Sequence, residues 1–490
     1  MKQCNQSRGE NRMSSNINVN LPRSHPEALG IDSRAIERFL AAISSSGVDL
    51  HSFMLLRHGQ VAAEGWWNPY SADLPHALYS VSKSFTSTAV GFAVKENLLT
   101  VDDLVTSFFP EDLPEKISPY LEQLAIKHLL MMASGHTQDI TETMSQQPDG
   151  NWVKAFFGVP LEKEPGTHFL YNNGATYMLS AIIQKVSGQS LLDYLKPRLF
   201  DPLGIVNPVW DTCPRGISAG AFGLSVITED IAKLGLLYLQ QGVWNGERLL
   251  DEEWIQAATT KQIDNGDNPD SDWNQGYGYQ FWQCRHQAYR GDGFFGQFCL
   301  VMPEQQAVIA ITGAQGDMQI VLNTIWDHLL PAMEPEPLAP NESEAERVAG
   351  QLRKLAILPP HGLDFSENEE VMNGQIYRLE DPHGWQSFSV TFNGNEAVIT
   401  MIHKENSYII KAGRSAWLAG RSNLIEETDL KIVSSFTWKD ADTFEYTIRF
   451  IETAIIISGE VKLEGHTIAL KEKVNVVSDI DNRDAIIGRI

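Results

Sequence analysis

The chain has 490 residues, more than one ordinary domain holds, and 43% of them are hydrophobic, enough to bury substantial cores. Intrinsic disorder as the dominant state is excluded. Sixty-two acidic against 38 basic residues give −24 at pH 7, a field that repels phosphate backbones and anionic lipid heads. Nucleic acid and membrane are therefore not expected partners. The four cysteines (Cys4, Cys213, Cys284, Cys299) are too scattered for a disulfide framework or a zinc knuckle. No stretch reaches the roughly 18 consecutive apolar residues of a membrane span. Residues 1–20 lack the apolar core of a secretory leader. These features predict a reduced, cytoplasmic protein.

In chain order, residues 1–25 read as a disordered lead-in. Asp32 and Ser33 offer helix caps ahead of Ala35, Ile36, Phe39, Leu40 and Ile43, an i, i+3, i+4, i+7 stripe. Two apolar runs, 53–56 and 61–67, flank His58-Gly59 and predict a β-hairpin. Residues 84–94 carry no charge on any face, so a helix there belongs inside a domain. From about 99 to 283 the patterning is mainly helical, with clear helices ending at Gly188 and near Gly242. Strands return at 296–302 and 307–312, followed by an amphipathic segment at 320–330. Hairpin, helices, strands and helix in that order predict one antiparallel sheet built from distant pieces. Residues 333–344 are rich in Pro and Glu, a linker by composition. A short helix near 345–355 follows. Alternating runs at 387–392, 397–402, 408–412, 432–438, 444–450 and 467–470 then predict an all-β module, a small barrel or sandwich.

Two constellations can carry chemistry. Ser80-Val81-Ser82-Lys83 heads the charge-free helix, which puts Lys83 on the same face as Ser80. A buried lysine, its ammonium form disfavoured, can take the proton that makes a serine nucleophilic. A helix N-terminus also offers the Ser80 N–H to a developing oxyanion. Tyr171-Asn172-Asn173 follows Pro165-Gly166 and precedes a helix. A loop tyrosine there can relay a proton, and the Asn173 amide can hold Lys83 or a substrate carbonyl. Each motif alone also has a structural explanation, as a helix cap and as an Asx-rich helix start.

Together these residues resemble the serine β-lactamase-related, penicillin-recognising hydrolases, nearest the branch of class C β-lactamases, carboxylesterases of that fold and aminohexanoate-dimer hydrolases. The resemblance spans about residues 25–335. It is carried by LYSVSKSFTSTAVGFAV at 78–94, LLMMASGH at 129–136, PGTHFLYNNGATYMLS at 165–180 and GAFGLSVITEDIAKLG at 220–235. It implies Ser80 as acylated nucleophile, Lys83 as its base, Tyr171 as proton relay and Asn173 as the group that orients Lys83 and substrate. The family's third motif is Lys-Thr-Gly or His-Thr-Gly; here the matching stretch is Gly291-Asp292-Gly293, then Phe294. The glycine that lets substrate approach is kept, and the Phe294 N–H is implied as second oxyanion donor. The cation that grips a substrate carboxylate is absent. Arg290, one residue off, should point to the other face of the strand.

Gly216-Ile217-Ser218-Ala219-Gly220 matches G-x-S-x-G, but no buried strand precedes it, as a nucleophile elbow requires. His128 and His136 lack a partner at metal-ligand spacing, and no metal or cofactor is called for.

The sequence thus predicts an α/β (α+β) fold: an antiparallel sheet flanked by helices with an all-helical subdomain, then a separate small all-β domain. The expected boundaries are 1–25 lead-in, 26–335 hydrolase domain, 336–360 linker and short helix, and 361–490 β-rich domain. The expected function is cleavage of a small neutral ester or amide through an acyl-enzyme. A non-catalytic binder on the same fold, or a D-aminopeptidase or β-lactamase type of amidase in which Asp292 meets a cationic end, are the alternatives. Oligomeric state is left open.

Overall fold

The computed structural model describes residues 20–426, 428–476 and 484–490. The expected lead-in, residues 1–25, therefore lies mainly outside the described residues. Residues 22–24 run along the first hairpin, where the Ser24 N–H donates to the Val61 carbonyl at 3.0 Å and the Val61 N–H to that of Pro22 at 2.7 Å.

Helix α1 (Ser33–Ser46) starts at Asp32, whose side chain accepts the Arg34 N–H, and stops at Gly47 in the left-handed region. Its predicted stripe is the buried face. Strands β1 (Leu50–Arg57) and β2 (Gln60–Trp66) form the expected hairpin. They join β3 (Trp282–Gln283), β4 (Tyr289–Gly293), β5 (Gln297–Met302) and β6 (Ala307–Gly313). Among the described residues these make one six-stranded sheet in the order β2-β1-β6-β5-β4-β3, antiparallel throughout. β1 thus pairs with a strand some 250 residues downstream, Leu55 opposite Ile309.

Both sheet faces are covered, and the period-2 alternation of β1 sorts its side chains between them. Phe53 and Leu55 pack with Phe39 and Ile43 of α1 and with Val321 and Leu322 of α5 (Gln319–Thr324). Met54 and Leu56 face the other way, toward Phe85 of α2 (Ser82–Lys95) and Leu234 of α4 (Thr228–Leu239). Helix α2 lies between the sheet and the helical region that includes α3 (Asn173–Ser187), so residues 82–93 are all buried. The absence of a polar face in the sequence has this cause. After the Pro-rich stretch, α6 (Glu342–Leu352) returns to this domain and inserts Val348 and Leu352 into the core beside α1.

The C-terminal region is an all-β barrel. Its strands are β7 (Ile376–Leu379), β8 (Trp385–Asn393), β9 (Glu396–His403), β10 (Asn406–Arg414), β11 (Leu418–Ser422), β12 (Leu430–Trp438), β13 (Thr443–Phe450), β14 (Ile456–Glu464), β15 (Thr467–Val474) and β16 (Ile486–Arg489). The ladder runs β10-β9-β8-β7-β16-β15-β14-β13-β12-β11 and closes through a short parallel pairing of β10 with β12, Gly413 opposite Ser435. Strands β7, β11, β14 and β16 are additions to the six runs read from the sequence. Three of them are only four or five residues long, and β14 presents a glycine at one of its inward positions, which blurs the alternation.

The barrel is docked on the hydrolase-like domain. Tyr70 packs with Val433 and Ile451, and Arg449 pairs with Asp49 at 2.7 Å. The loop between β13 and β14 lies along residues 76–79, where the Ala77 N–H donates to the Glu452 carbonyl at 2.8 Å.

Candidate active site

Ser80 sits in a 3-10 turn, Tyr79–Val81, that runs directly into α2. Ser80 thus precedes the first residue of α2, and the turn closes on itself, the Val81 N–H donating to the Leu78 carbonyl at 3.1 Å and the Ser82 N–H to that of Tyr79. The i+3 spacing still brings Lys83 back to Ser80, with Nζ 2.9 Å from the Ser80 hydroxyl. Lys83 is only 1% exposed. Its Nζ also donates to Asn173 Oδ1 at 2.7 Å and to the Ala221 carbonyl at 2.9 Å.

That count of neighbours has chemical meaning. A neutral amine has two N–H donors and one lone pair; Asn173 and Ala221 take the donors, and the lone pair is left facing the Ser80 O–H. Burial pushes the Lys83 pKa down to about 7, with Asp139 and Asp292 opposing weakly. A lysine held in this way can accept a proton near neutral pH.

Asn173 begins α3 and is fixed from three sides. Its N–H donates to Asp139 at 2.7 Å, its Nδ2 donates to Thr141 at 3.0 Å, and its Oδ1 receives Lys83. Asn172 caps the helix with its own side chain. The Tyr171 ring lies under Lys83 Nζ, 4.8 Å from the centroid, and stacks on Trp282 at 5.3 Å. Burial holds its hydroxyl well above the usual phenol range, and a hydrogen bond with Ser80 opposes that. The four residues Ser80, Lys83, Tyr171 and Asn173 are thus brought together from two helix starts and a loop 90 residues apart.

Strand β4 forms the opposite wall. A side chain at Gly291 would press on Ser84 Oγ, 2.8 Å from an added Cβ, and one at Gly293 on the Leu78 carbonyl at 2.3 Å. Glycine at both positions lets β4 lie directly against the segment that carries Ser80. Phe294 follows in the tight turn to β5, its side chain exposed. Asp292 and Arg290 share the other strand face, where Arg290 Nε donates to Asp292 at 2.7 Å. Arg290 is fully buried among Trp273, Trp282 and Phe298. The carboxylate of Asp292 is thus already met by a cation of this chain. Arg215, in the helical region, is bound to Asp149 at the surface.

The remaining chemical signals are structural. Ser218 is buried in a loop, its carbonyl accepting from Ser180 at 2.7 Å. The same loop ends in Ala221, whose carbonyl holds Lys83; no sequence signal marks a backbone acceptor of this kind. His136 hydrogen-bonds to Ser134 and Asn172, and His128 accepts the Ala125 N–H. Cys213, Cys284 and Cys299 are free and buried. Among the described residues no group of His, Cys, Asp and Glu side chains could hold a metal ion.

The β-lactamase family model matches residues 34–318, more than half of the chain. The chain belongs to the β-lactamase family. Among relatives, it is 26% identical over 220 residues to the 6-aminohexanoate-dimer hydrolase of Paenarthrobacter ureafaciens, covering 42% of this chain and 56% of that one. It is 28% identical over 161 residues to the lovastatin esterase of Penicillium rubens, covering 28% and 40%. The chain therefore spans little more than half the length of the first of these relatives and less of the second. The octameric penicillin-binding protein homologue from Pyrococcus abyssi shares the fold over 93% of this chain and all of that one, with a TM-score of 0.50 and 17% identity. No helix among the described residues is long and apolar enough to cross a membrane.

Proposed function

We propose that this β-lactamase-family protein is a serine hydrolase that cleaves a small neutral ester or amide through an acyl-enzyme on Ser80. The observation that carries the reading is the buried Lys83 amine, 2.9 Å from Ser80 Oγ with its two other neighbours both acceptors. Lys83 takes the Ser80 proton as Oγ attacks the carbonyl carbon. The N–H groups of Ser80 and Phe294 hold the oxyanion. Tyr171 and Lys83 return the proton to the leaving alcohol or amine, and water then releases the acyl group. The relatives include an amide and an ester hydrolase by name, in keeping with this chemistry.

Neutral substrates follow from β4. Gly291 stands in the slot where a cation would grip a carboxylate, and Arg290 is committed to Asp292. A charge-assisted hydrogen bond is worth roughly 1.5–3 kcal/mol, so a neutral ester should exceed its carboxylated analogue by about tenfold or more in kcat/KM.

The experiment is fluorophosphonate labelling of the full chain and of Ser80→Ala, followed by matched neutral and anionic esters and amides. Labelling lost in Ser80→Ala, with an unchanged melting temperature, is the expected result. A persisting adduct moves the nucleophile elsewhere, and efficient cleavage of an anion or a penicillin overturns the substrate class.

A further inference from the structure

The barrel has a site at one end, reaching from its rim to its core, that the hydrolytic reading does not use. At the end where β14 and β16 begin and β15 ends lies a cavity of about 1040 Å³, within the size range of small-molecule sites. Its apolar wall includes Trp385, Ile457, Leu470, Val474 and Ile486. Ile457 and Leu470 belong to the barrel core, and the other three pack against it. The side-chain alternation of β15 then places Glu472 on the same inward face as Ile468 and Leu470, with Lys471 and Lys473 on the outer face, where the cavity rim also reaches them.

Glu472 is confirmed as inward by its partner. The hydroxyl of Tyr446, a fully buried core residue, donates to Glu472 Oε1 at 2.6 Å. Among the described residues the charge that acts on Glu472 is that of Asp381, a second carboxylate lining the cavity, and it has the same sign. Two of the rim acids are paired, Glu380 with Arg489 and Glu460 with Lys439 at 2.6 Å, while Glu445 and Asp484 add further carboxylates to the lining. Burial raises the pKa of Glu472. A carboxylate on the inner face of a barrel, with no counter-charge on it among the described residues, is costly unless a ligand supplies one.

We propose that the barrel cavity binds a cationic amphiphile, a primary alkylamine in chemical class, with its ammonium on Glu472 and its chain along Trp385, Leu470 and Ile457. The ammonium has three donors for the free lone pairs of Glu472 and for Asp381. The alkyl chain gains from the apolar wall in proportion to the area it buries. An alkanoate of the same length would bring a third negative charge to the pair. The site is independent of Ser80 chemistry and opens at the barrel end that carries the docking loop between β13 and β14.

Calorimetric titration of the full chain with decylamine, decanol and decanoate, each below its micelle concentration, tests this. One saturable decylamine site is expected, about tenfold or more tighter than for decanoate. Glu472→Gln, nearly isosteric, should reduce decylamine to the affinity of decanol while the melting temperature holds. Leu470→Trp, which fills the cavity, should abolish binding of both. Equal or tighter decanoate binding, no saturable amine site, or full amine affinity in either variant would overturn the proposal.

Discussion

The hydroxyl of Tyr79 accepts the backbone N–H of Ala454 at 3.4 Å, tying the residue before Ser80 to the loop between β13 and β14 of the barrel. Tyr79 has φ +47°, in the left-handed region where a bulky side chain is strained. Its ring meets Phe295 edge-on at 5.6 Å, in the turn that presents the Phe294 N–H. One side chain thus touches the barrel and the two segments that carry the proposed oxyanion donors, Ser80 and Phe294.

Tyr79→Phe keeps the ring and removes the acceptor for Ala454, which is fully buried. The stranded N–H should cost about 1–3 kcal/mol in denaturant unfolding. If Tyr79 also holds Ser80 in register, kcat falls and KM stays near its original value. An unchanged unfolding curve would show that the contact contributes nothing.

Tyr171→Phe removes one hydroxyl and leaves the stack on Trp282 at 5.3 Å. A proton relay at this position contributes roughly 10²–10⁴-fold. Stopped-flow acylation should slow by that range with little change in substrate affinity. A rate within a factor of two of the original would reduce Tyr171 to packing.

Lys83 titrates near the working pH, since burial brings its pKa down to about 7. The base is the neutral form, so acylation should rise with pH, reach half its plateau near 7 and flatten above it. Lys83→Arg, always protonated and forked in shape, should show no such rise and almost no turnover. A flat pH profile for the original enzyme between 5 and 9 would contradict the assignment of Lys83 as base.

Acid should loosen the contact between the two domains through a pair of buried histidines. His51 Nδ1 lies 2.9 Å from His76 Nε2, and His76 Nδ1 lies 2.9 Å from the Ala77 carbonyl. With His76 Nδ1–H donating to that carbonyl, its Nε2 must accept from His51, so both rings are held neutral. Burial lowers the His76 pKa to about 4, and that of His51 further below its usual value, with His76 and Arg449 adding to the effect. A depressed histidine pKa gives stability that is fully present above about 6.5, the unfolded value, and lost as pH falls toward 4. For His76 the loss is about 3 kcal/mol at most. Unfolding measured from pH 7.5 to 4.5 should show stability declining across that window, and less steeply in His76→Gln.

The parts of this protein that local chemistry specifies were legible from the chain alone. The α1 stripe with its Asp32 cap and Gly47 stop, the hairpin at His58-Gly59 and the charge-free α2 each depend on periodicity within one element. The pairing of Ser80 with Lys83 is of the same kind, because a helical turn fixes the i+3 geometry whatever surrounds it. Tyr171 and Asn173 were legible as a polar loop before a helix, but nothing local brings them to Lys83. That meeting needs α2 and α3 packed together, with Asp139 and Thr141 holding the amide. The Ala221 carbonyl that completes the Lys83 environment is a main-chain atom, which no residue type announces. The neutralisation of Asp292 by Arg290 follows from strand alternation, yet their burial under Trp273 and Trp282 comes from chain segments folded over them. The inward carboxylate of Glu472 is a product of barrel closure, since only a closed sheet has an inside. Short-range stereochemistry is written residue by residue, whereas burial, and with it every shifted pKa, depends on which distant surfaces exclude water.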